Sequence, residues 1–345
     1  MGFATPARRR ALVLSHDIFA GVQRRIRLPD TRCRQPMLDV RTAPGEFMRT
    51  RKIIAALSAI AATLTGAVLA GSGPAAAETG CPGLYVVAIP GTWENNGSTV
   101  GPSMLSYVTD GLPGTVRTDY VSYPATVFPW EGQVYGRSKS VAINSARGMI
   151  ASMAVRCAGT RVALLGYSQG ADAAGDLAAE LGTGAGVIAP NRVAAVGLIS
   201  DPRRAPTDIL VGPAVAGAGA GGGRPGGFGF ISDRVRTICA IGDLYCSTVP
   251  EDFVTRFAGL MAQVSEASIT DVTLYQQQAD AIMKDLMAGG GISVLQQQFS
   301  PEANAHRQAT FEQFYNSQVH TAYAGYDVGG ASATAWLHDW LAGLA

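Results

Sequence analysis

The sequence predicts an α/β protein with a mostly parallel central sheet that helices cover on both faces. Three observations support this fold class. Short apolar runs with β-branched residues end at glycine or proline, as buried strands do. Stretches with helical spacing of apolar residues alternate with these runs, and that alternation is typical of parallel sheets. The 345 residues, 47% hydrophobic and 15% charged, are enough to bury a large core.

Residues 48–77 have the three parts of a secretory signal peptide. A basic start precedes an apolar stretch of 18 residues at 53–70, and alanines at 75–77 fit the small-residue pattern before a cleavage site. We therefore expect cleavage before Glu78 and a secreted or envelope-associated mature chain. A transmembrane anchor is the alternative, although 18 residues rich in small side chains are barely long enough to span a bilayer.

Residues 1–47 precede this predicted signal peptide. They are arginine-rich and have no sustained helical or strand period, so we expect a disordered extension that results from a misplaced translation start. A long leader or a regulatory tail is the alternative. Without residues 1–77 the chain keeps 15 basic and 22 acidic side chains, a formal net charge of −7. It has no basic patch, which argues against nucleic acid as a partner.

Four of the five cysteines follow the predicted signal peptide. An even number of cysteines in an exported protein is typical of disulfides, and the chain has no CxxC pair that would favour metal binding. Cys81, Cys157, Cys239 and Cys246 allow three pairings. The short interval favours Cys239–Cys246, which leaves Cys81–Cys157.

The predicted strands are short, apolar and bounded by turn residues. In chain order they cover residues 83–91, 115–125, 160–166, 192–200 and 234–242. Two helices are predicted between them. Residues 138–156 carry apolar side chains with helical spacing, and residues 171–181 are good helix formers.

Two segments depart from this alternation. Residues 212–230 are so rich in glycine that we expect a flexible surface loop that buries little. This loop is either a tolerated insertion or a flap that faces the substrate. Residues 250–317 repeat apolar positions on one helical face and predict a helical insertion.

The motif GYSQG follows a predicted strand and opens a predicted helix. This context predicts a nucleophile elbow, in which Ser168 adopts a strained conformation and Gly166 and Gly170 let the helix pass close to the strand. The oxyanion that forms during acyl transfer needs two donors. We expect the backbone N–H of Gln169 to be one of them. The other should come from Thr92, in the loop after the first strand, through its N–H or its hydroxyl.

The base that activates such a serine is expected late in the chain. Three histidines follow the predicted signal peptide. His338 lies in an amphipathic terminal helix and is expected to be structural, and His306 lies in a polar helical stretch and is expected to be solvated. His320 lies in a loop-like segment just before the last helix, where its side chain can reach the sheet edge, so it is the predicted base.

Two aspartates compete as the acid that orients this histidine. Asp201 ends the first strand after the elbow, and Asp243 ends the second. In an α/β-hydrolase sheet the acid usually follows the second of these strands, which favours Asp243. A Cys239–Cys246 bond would also close a ring around Asp243. Asp201 is interpreted as a turn residue before Pro202.

Four motifs in order resemble the cutinase family of secreted serine esterases: an early cysteine before the first strand, GYSQG, CAIGDLYC and VHTAY. The resemblance covers most of residues 81–345. It implies a small α/β-hydrolase fold with a five-stranded parallel sheet and no cofactor. It also implies the triad Ser168, Asp243 and His320, and cysteines paired as disulfides.

PGTWE, SDPRRAPTD and RPGGFG resemble the cutinase-like enzymes of mycolic-acid-containing actinobacteria, including a cell-wall-associated member with phospholipase and thioesterase activity. The chain departs from small fungal cutinases because 77 positions separate Asp243 from His320. The helical insertion of residues 250–317 falls in this interval, and we infer that it forms a cap near the pocket, which argues against a site open to a solid polyester.

The sequence therefore predicts an exported, monomeric serine carboxylester hydrolase that acts on acyl esters or thioesters of lipids. Association with the envelope or a membrane surface is left open. One alternative is an acyltransferase of the cell envelope that uses the same triad. A second, from another class, is a non-catalytic lipid-binding envelope protein.

Overall fold

The structure is a computed structural model that describes residues 80–94, 103–266 and 272–345. The predictions for residues 1–47 and 48–77 lie outside these ranges. Within them, no helix combines the length and the apolar character needed to cross a membrane.

The centre of the fold is a five-stranded sheet in the order β2-β1-β3-β4-β5, and every neighbouring pair of strands is parallel. The strands are β1 (Leu84–Ile89), β2 (Val116–Tyr120), β3 (Arg161–Tyr167), β4 (Val193–Ile199) and β5 (Val235–Ile238). The predicted fold class is confirmed, although most strands are shorter than predicted because their apolar runs continue into the following turns.

Helices cover both faces of this sheet. The helices outside the insertion are α1 (Ser106–Thr109), α2 (Tyr135–Arg156), α3 (Gln169–Gly182) and the last helix, α8 (Ala333–Ala342). Side chains of β1 alternate between two apolar clusters, as a parallel strand buried on both faces requires. Tyr85 and Val87 pack in the cluster with α2 and α3, whereas Leu84 and Val86 pack in the cluster with α1 and α8.

Most of the segment 250–317 is helical, as predicted, and we refer to it as the cap. It contains α4 (Phe253–Val264), α5 (Val272–Ala288), α6 (Ile292–Gln298) and α7 (Pro301–Ser317). Asp252 and Ser300 start α4 and α7 by accepting hydrogen bonds from backbone N–H groups of the first turn. The cap has its own small apolar cluster, separate from the two clusters of the sheet.

The glycine-rich segment 212–230 differs from the prediction of a flexible loop that buries little. Arg224 and Phe228 within it are 8% and 3% exposed. Its glycines allow backbone to pack directly on backbone: a Cβ at Gly219 would lie 2.2 Å from the carbonyl oxygen of Pro202. The segment therefore packs against the core in an irregular conformation.

Two disulfides join the pairs that the cysteine spacing favours. Cys81, just before β1, bonds Cys157 at the end of α2 with an S–S distance of 2.04 Å. Cys239 bonds Cys246 with an S–S distance of 2.03 Å and closes the loop after β5.

Candidate active site

The turn between β3 and α3 has the geometry of a nucleophile elbow. Ser168 has φ 56° and ψ −122°, a left-handed conformation that a non-glycine residue rarely adopts. The flanking glycines are required by close packing. A Cβ at Gly166 would lie 2.4 Å from the carbonyl oxygen of Gly170, and one at Gly170 would lie 2.0 Å from that of Ile89.

His320 lies in a short 3₁₀ turn, Val319–Thr321, directly after the last cap helix. Its Nε2 is 3.0 Å from Ser168 Oγ, and its Nδ1 is 2.9 Å from Asp243 Oδ2. The structure thus brings the three predicted residues together, although 77 and 152 positions separate the histidine from its two partners.

The other two histidines lie elsewhere. His306 is exposed on α7. His338 is on α8, where its Nδ1 is 2.9 Å from the carbonyl oxygen of Val108 in α1, so it links two helices on one face of the sheet.

Asp243 is fully buried and has partners for both carboxylate oxygens. Oδ1 accepts the backbone N–H of Tyr245 at 3.0 Å. Oδ2 accepts hydroxyl hydrogen bonds from Ser200 at 2.6 Å and from Tyr323 at 2.7 Å, besides its contact with His320. Burial alone would raise the pKa of this carboxyl, but the hydrogen bond and charge of His320 and the two hydroxyl donors outweigh burial. The pKa of Asp243 therefore lies below its ordinary value.

Sequence reasoning missed the two hydroxyl donors. Ser200 directly follows β4 beside the elbow, has φ 53°, and has its Oγ 3.1 Å from His320 Nδ1. The Tyr323 hydroxyl also accepts the backbone N–H of Ala240 at 2.9 Å. For Ser200 a signal existed, since it follows a strand whose carboxyl end meets the same sheet edge as the elbow. Nothing in the sequence around Tyr323 indicates its role.

Asp201 is more than the turn residue that the sequence suggested. It is 1% exposed and accepts hydrogen bonds from the Arg224 guanidinium at 2.6 and 3.2 Å. Its Oδ1 also accepts the backbone N–H of Arg203 at 2.9 Å. This aspartate anchors the glycine-rich segment to the core.

The two predicted oxyanion donors lie next to each other. Thr92 follows β1 and Gln169 opens α3, and Thr92 Oγ1 is 3.5 Å from Gln169 Oε1. Their backbone N–H groups have no acceptor among the residues that the structure describes. The side chain of Gln169 is held by the carbonyl oxygens of Thr126 and Tyr135, at 3.0 and 3.3 Å. The oxyanion role of both residues stays a prediction.

Glu94 holds the loop that carries Thr92. Its carboxylate accepts the backbone N–H groups of Gly91 at 2.8 Å and Met104 at 2.7 Å. Burial raises the pKa of this carboxyl above its ordinary value, although both hydrogen bonds act in the opposite direction.

Aromatic rings surround the histidine. The ring centroids of Tyr245, Tyr167 and Phe314 lie 4.5, 5.3 and 6.2 Å from that of His320. Phe314 belongs to cap helix α7, so the cap covers part of the site. The side chain of His320 remains 20% exposed.

No group of three or more histidine, cysteine, aspartate or glutamate side chains could hold a metal ion in the part of the chain that the structure describes.

The sheet topology, the strained serine and the order serine, aspartate, histidine define an α/β-hydrolase. The family model of the cutinases matches residues 80–269, more than half of the chain, and the chain therefore belongs to the cutinase family. The matched segment includes Ser168 and Asp243 and ends before His320.

Two curated relatives are similar to this chain over about half of its length. "Carboxylesterase Culp6 homolog" from Corynebacterium glutamicum is 32% identical over 204 residues, which cover 48% of this chain and 65% of that protein. "Cutinase CUT1" from Coprinopsis cinerea is 29% identical over 172 residues, which cover 49% of this chain and 73% of that protein. The chain thus spans just under two thirds of the Corynebacterium relative.

Among solved structures, the catalytic core domain of acetyl xylan esterase from Trichoderma reesei is 21% identical, with a TM-score of 0.39. The similarity covers 57% of this chain and 99% of that domain.

Proposed function

We propose that this protein is an extracytoplasmic serine carboxylester hydrolase that acts on acyl esters or thioesters of lipids. One observation carries the proposal: His320 lies within hydrogen-bonding distance of Ser168 Oγ through Nε2, at 3.0 Å, and of the buried Asp243 through Nδ1, at 2.9 Å. The family membership and the carboxylesterase and cutinase relatives support the same class of reaction.

In the proposed acylation step, Asp243 accepts the Nδ1 proton of His320 in a hydrogen bond, which leaves the lone pair of Nε2 facing Ser168. Nε2 takes the hydroxyl proton while Ser168 Oγ bonds the acyl carbon. The bond to the leaving alcohol or thiol then breaks, and the imidazolium returns the proton to that group.

Deacylation repeats these steps with water. Nε2 removes a proton from the water as its oxygen bonds the acyl carbon, and the serine oxygen leaves and regains a proton. In both steps the carbonyl oxygen becomes negative. The backbone N–H groups of Thr92 and Gln169 would stabilise it, helped by the positive end of the α3 dipole.

The lipid substrate and the location outside the cytoplasm rest on separate arguments. The two disulfides, with the predicted signal peptide, favour an oxidising compartment. The aromatic rings of Tyr245 and Phe314 give the histidine side of the site an apolar wall, which suits an acyl chain better than a charged substrate.

The test is hydrolysis of p-nitrophenyl esters, phospholipids and acyl-CoA thioesters by the wild type and three variants. We expect Ser168→Ala and His320→Ala to lower kcat by about a thousandfold or more. His306→Ala is the matched control, because His306 is exposed on α7, and it should keep the wild-type rate. Wild-type activity in Ser168→Ala would refute the proposal.

Product analysis with added glycerol or trehalose separates hydrolysis from acyl transfer. Free fatty acid as the main product supports the hydrolase, whereas an acylated acceptor as the main product would make the enzyme a transferase with the same triad.

A further inference from the structure

We propose that Gln263 is a positioning residue for the catalytic histidine. Its amide fastens the cap to a buried charge cluster of the core, and the fastened cap holds the turn that carries His320. This inference rests on the proposed function and adds to it a residue about which neither the motifs nor the family resemblance say anything.

The buried charge cluster lies between α2, α3 and the glycine-rich segment. It contains three carboxylates and three cations, and five of the six residues are less than 9% exposed: Lys139, Asp172, Asp201, Arg203 and Arg224, with Asp176 partly exposed. The carboxylate of Asp176 forms salt bridges with Lys139 Nζ at 3.0 Å, Arg224 Nε at 2.8 Å and Arg203 Nη1 at 3.2 Å. Burial would raise the pKa of Asp176, but the three cations hold it below its ordinary value, whereas burial raises the pKa of Asp201 above its ordinary value.

Gln263 of cap helix α4 completes this cluster from outside the core. It is 2% exposed, its Nε2 donates to Asp172 Oδ2 at 2.6 Å, and its Oε1 accepts a hydrogen bond from Lys139 Nζ. The uncharged amide thus donates a hydrogen bond to the carboxylate and accepts one from the ammonium group. A residue with only one kind of hydrogen-bonding group could not do both.

A second contact fastens the same end of α4. Ser265 Oγ accepts the backbone N–H of Gly136 in the first turn of α2 at 2.8 Å. The contact is close because position 136 is glycine: a Cβ there would lie 2.9 Å from Ser265 Oγ. Gln263 and Ser265 together form the latch of the cap.

Two hydrogen bonds connect the partner of the latch, Asp172, to Gln169 on the oxyanion side of the site. Asp172, the partner of Gln263, accepts the hydroxyl of Tyr135 at 2.7 Å. The carbonyl oxygen of Tyr135 in turn accepts the side-chain amide of Gln169 at 3.3 Å. The partner of the latch therefore lies two hydrogen bonds from a residue that we propose to bind the oxyanion.

The packing of the cap helices connects the latch to the histidine. Helix α4 packs on α5 and α6, and α6 packs on α7. Helix α7 contributes Phe314 to the wall around His320 and ends only three residues before it. If α4 left the core, the helix that precedes and covers the histidine would lose its fixed position.

Release of the latch would have an energetic cost. Lys139 and Asp172 would keep their mutual contact at 3.3 Å, but each would lose one hydrogen bond at a buried site, which is unfavourable. The cap is therefore expected to stay docked while Gln263 is present and to become mobile when it is replaced.

The experiment compares two buried glutamines of the cap. Gln263→Ala removes the latch, whereas Gln278→Ala removes a 6% exposed glutamine of α5 whose amide atoms have no partner among the described residues. We expect Gln263→Ala to lower kcat for p-nitrophenyl acetate by about tenfold, as a misaligned base does, with an unchanged KM. Gln278→Ala should keep the wild-type kcat.

Ser265→Ala covers the case in which Gln263→Ala does not fold, because Ser265 is exposed and its hydroxyl makes only the contact with Gly136 and a local hydrogen bond to the carbonyl oxygen of Ala262. We expect a several-fold lower kcat for this variant. Wild-type kcat in a folded Gln263→Ala would overturn the proposal. If that variant does not fold, wild-type kcat in Ser265→Ala would overturn it. Equal losses of kcat in Gln263→Ala and Gln278→Ala would also overturn it.

Amide hydrogen exchange separates this proposal from the proposed function. Gln263→Ala should lose protection in α7 and in residues 319–321, whereas Gln278→Ala should not, whether or not the wild type hydrolyses esters. An inactive wild type would refute the proposed function alone, whereas unchanged protection in Gln263→Ala would refute the latch alone.

Discussion

The sheet core and the cap are built differently, although the proposed active site uses both. In the core, two apolar clusters fill both faces of the sheet, Ser168 and Ser200 directly follow β3 and β4, and Asp243 lies in the loop after β5. In the cap, the apolar cluster has four buried side chains, with partly buried ones packed against them: Phe253, Leu260, Ile282 and Leu286. Large apolar residues such as Met261, Met287 and Ile292 remain more than 60% exposed.

This difference shows which part of the site is rigid. The serine directly follows β3, and the aspartate lies in the loop after β5 that the Cys239–Cys246 bond closes. His320 follows cap helix α7, and its carbonyl oxygen accepts the hydroxyl of Tyr167 from β3 at 2.6 Å, so the core and, on our proposal, the cap both hold the turn that carries it. The core therefore supplies the chemistry, and the cap decides how well the base is aligned.

The largest expected effect comes from the core. Asp243→Asn keeps the shape of the side chain but removes the carboxylate that orients His320, and we expect kcat to fall by about ten-thousandfold. Asp233→Asn, at an exposed aspartate before β5, is the control and should keep the wild-type rate. A loss of less than about tenfold in Asp243→Asn, measured with p-nitrophenyl esters, would show that another group orients the base.

Substitution of one buried isoleucine in the core and one in the cap tests whether the two regions unfold separately. Ile150→Ala in α2 and Ile282→Ala in α5 each remove a buried side chain, 0% and 3% exposed, and each should cost about 2–5 kcal/mol locally. We expect Ile150→Ala to lower the global free energy of unfolding. Ile282→Ala should mainly lower hydrogen-exchange protection within the cap. Equal loss of protection throughout the molecule in both variants would mean that the core and the cap unfold as one unit.

Ser200→Ala tests the hydroxyl that the sequence did not reveal. Loss of its 2.6 Å hydrogen bond to Asp243 should lower kcat by about tenfold and leave KM unchanged, because the serine acts through the aspartate. Ser247→Ala is the matched control, since its hydroxyl bonds the carbonyl oxygen of Ala216 instead. Equal rates in the two variants would assign Ser200 a purely structural role.

The smallest expected effect is a dependence of stability on pH. Since the pKa of Asp243 is lower in the folded protein than its ordinary value, its ionised form stabilises the fold. This stabilisation is complete above about pH 5 and is lost as the pH falls below about 4, through the folded-state pKa. The difference in unfolding free energy between wild type and Asp243→Asn should therefore shrink on acidification, as denaturant titrations would measure. A constant difference would contradict the assignment.

The sequence predicted the features that depend on local patterns. GYSQG between an apolar run and a helix-forming stretch indicated Ser168. The chain order of nucleophile, acid and base indicated Asp243 and His320 among few candidates. The strands followed from apolar runs that end at turn residues, and the short cysteine interval favoured the disulfide at Asp243.

The features that were missed depend on side chains that meet only in the folded chain. Ser200 and Tyr323 are 43 and 80 positions from Asp243, and an ordinary serine and tyrosine give no sign of such a partner. The glycine-rich segment was misjudged for the same reason. Arg224 is its anchor, and its partners Asp176 and Asp201 lie 48 and 23 positions away.

The most direct test of the serine–histidine–aspartate assignment is the site of covalent labelling by a fluorophosphonate, read by peptide mass spectrometry. The account predicts a single adduct on Ser168 in the wild type, and strongly slowed labelling in His320→Ala, because the imidazole is needed to activate the hydroxyl. An adduct on another residue in an active enzyme, or undiminished labelling without the imidazole, would contradict it.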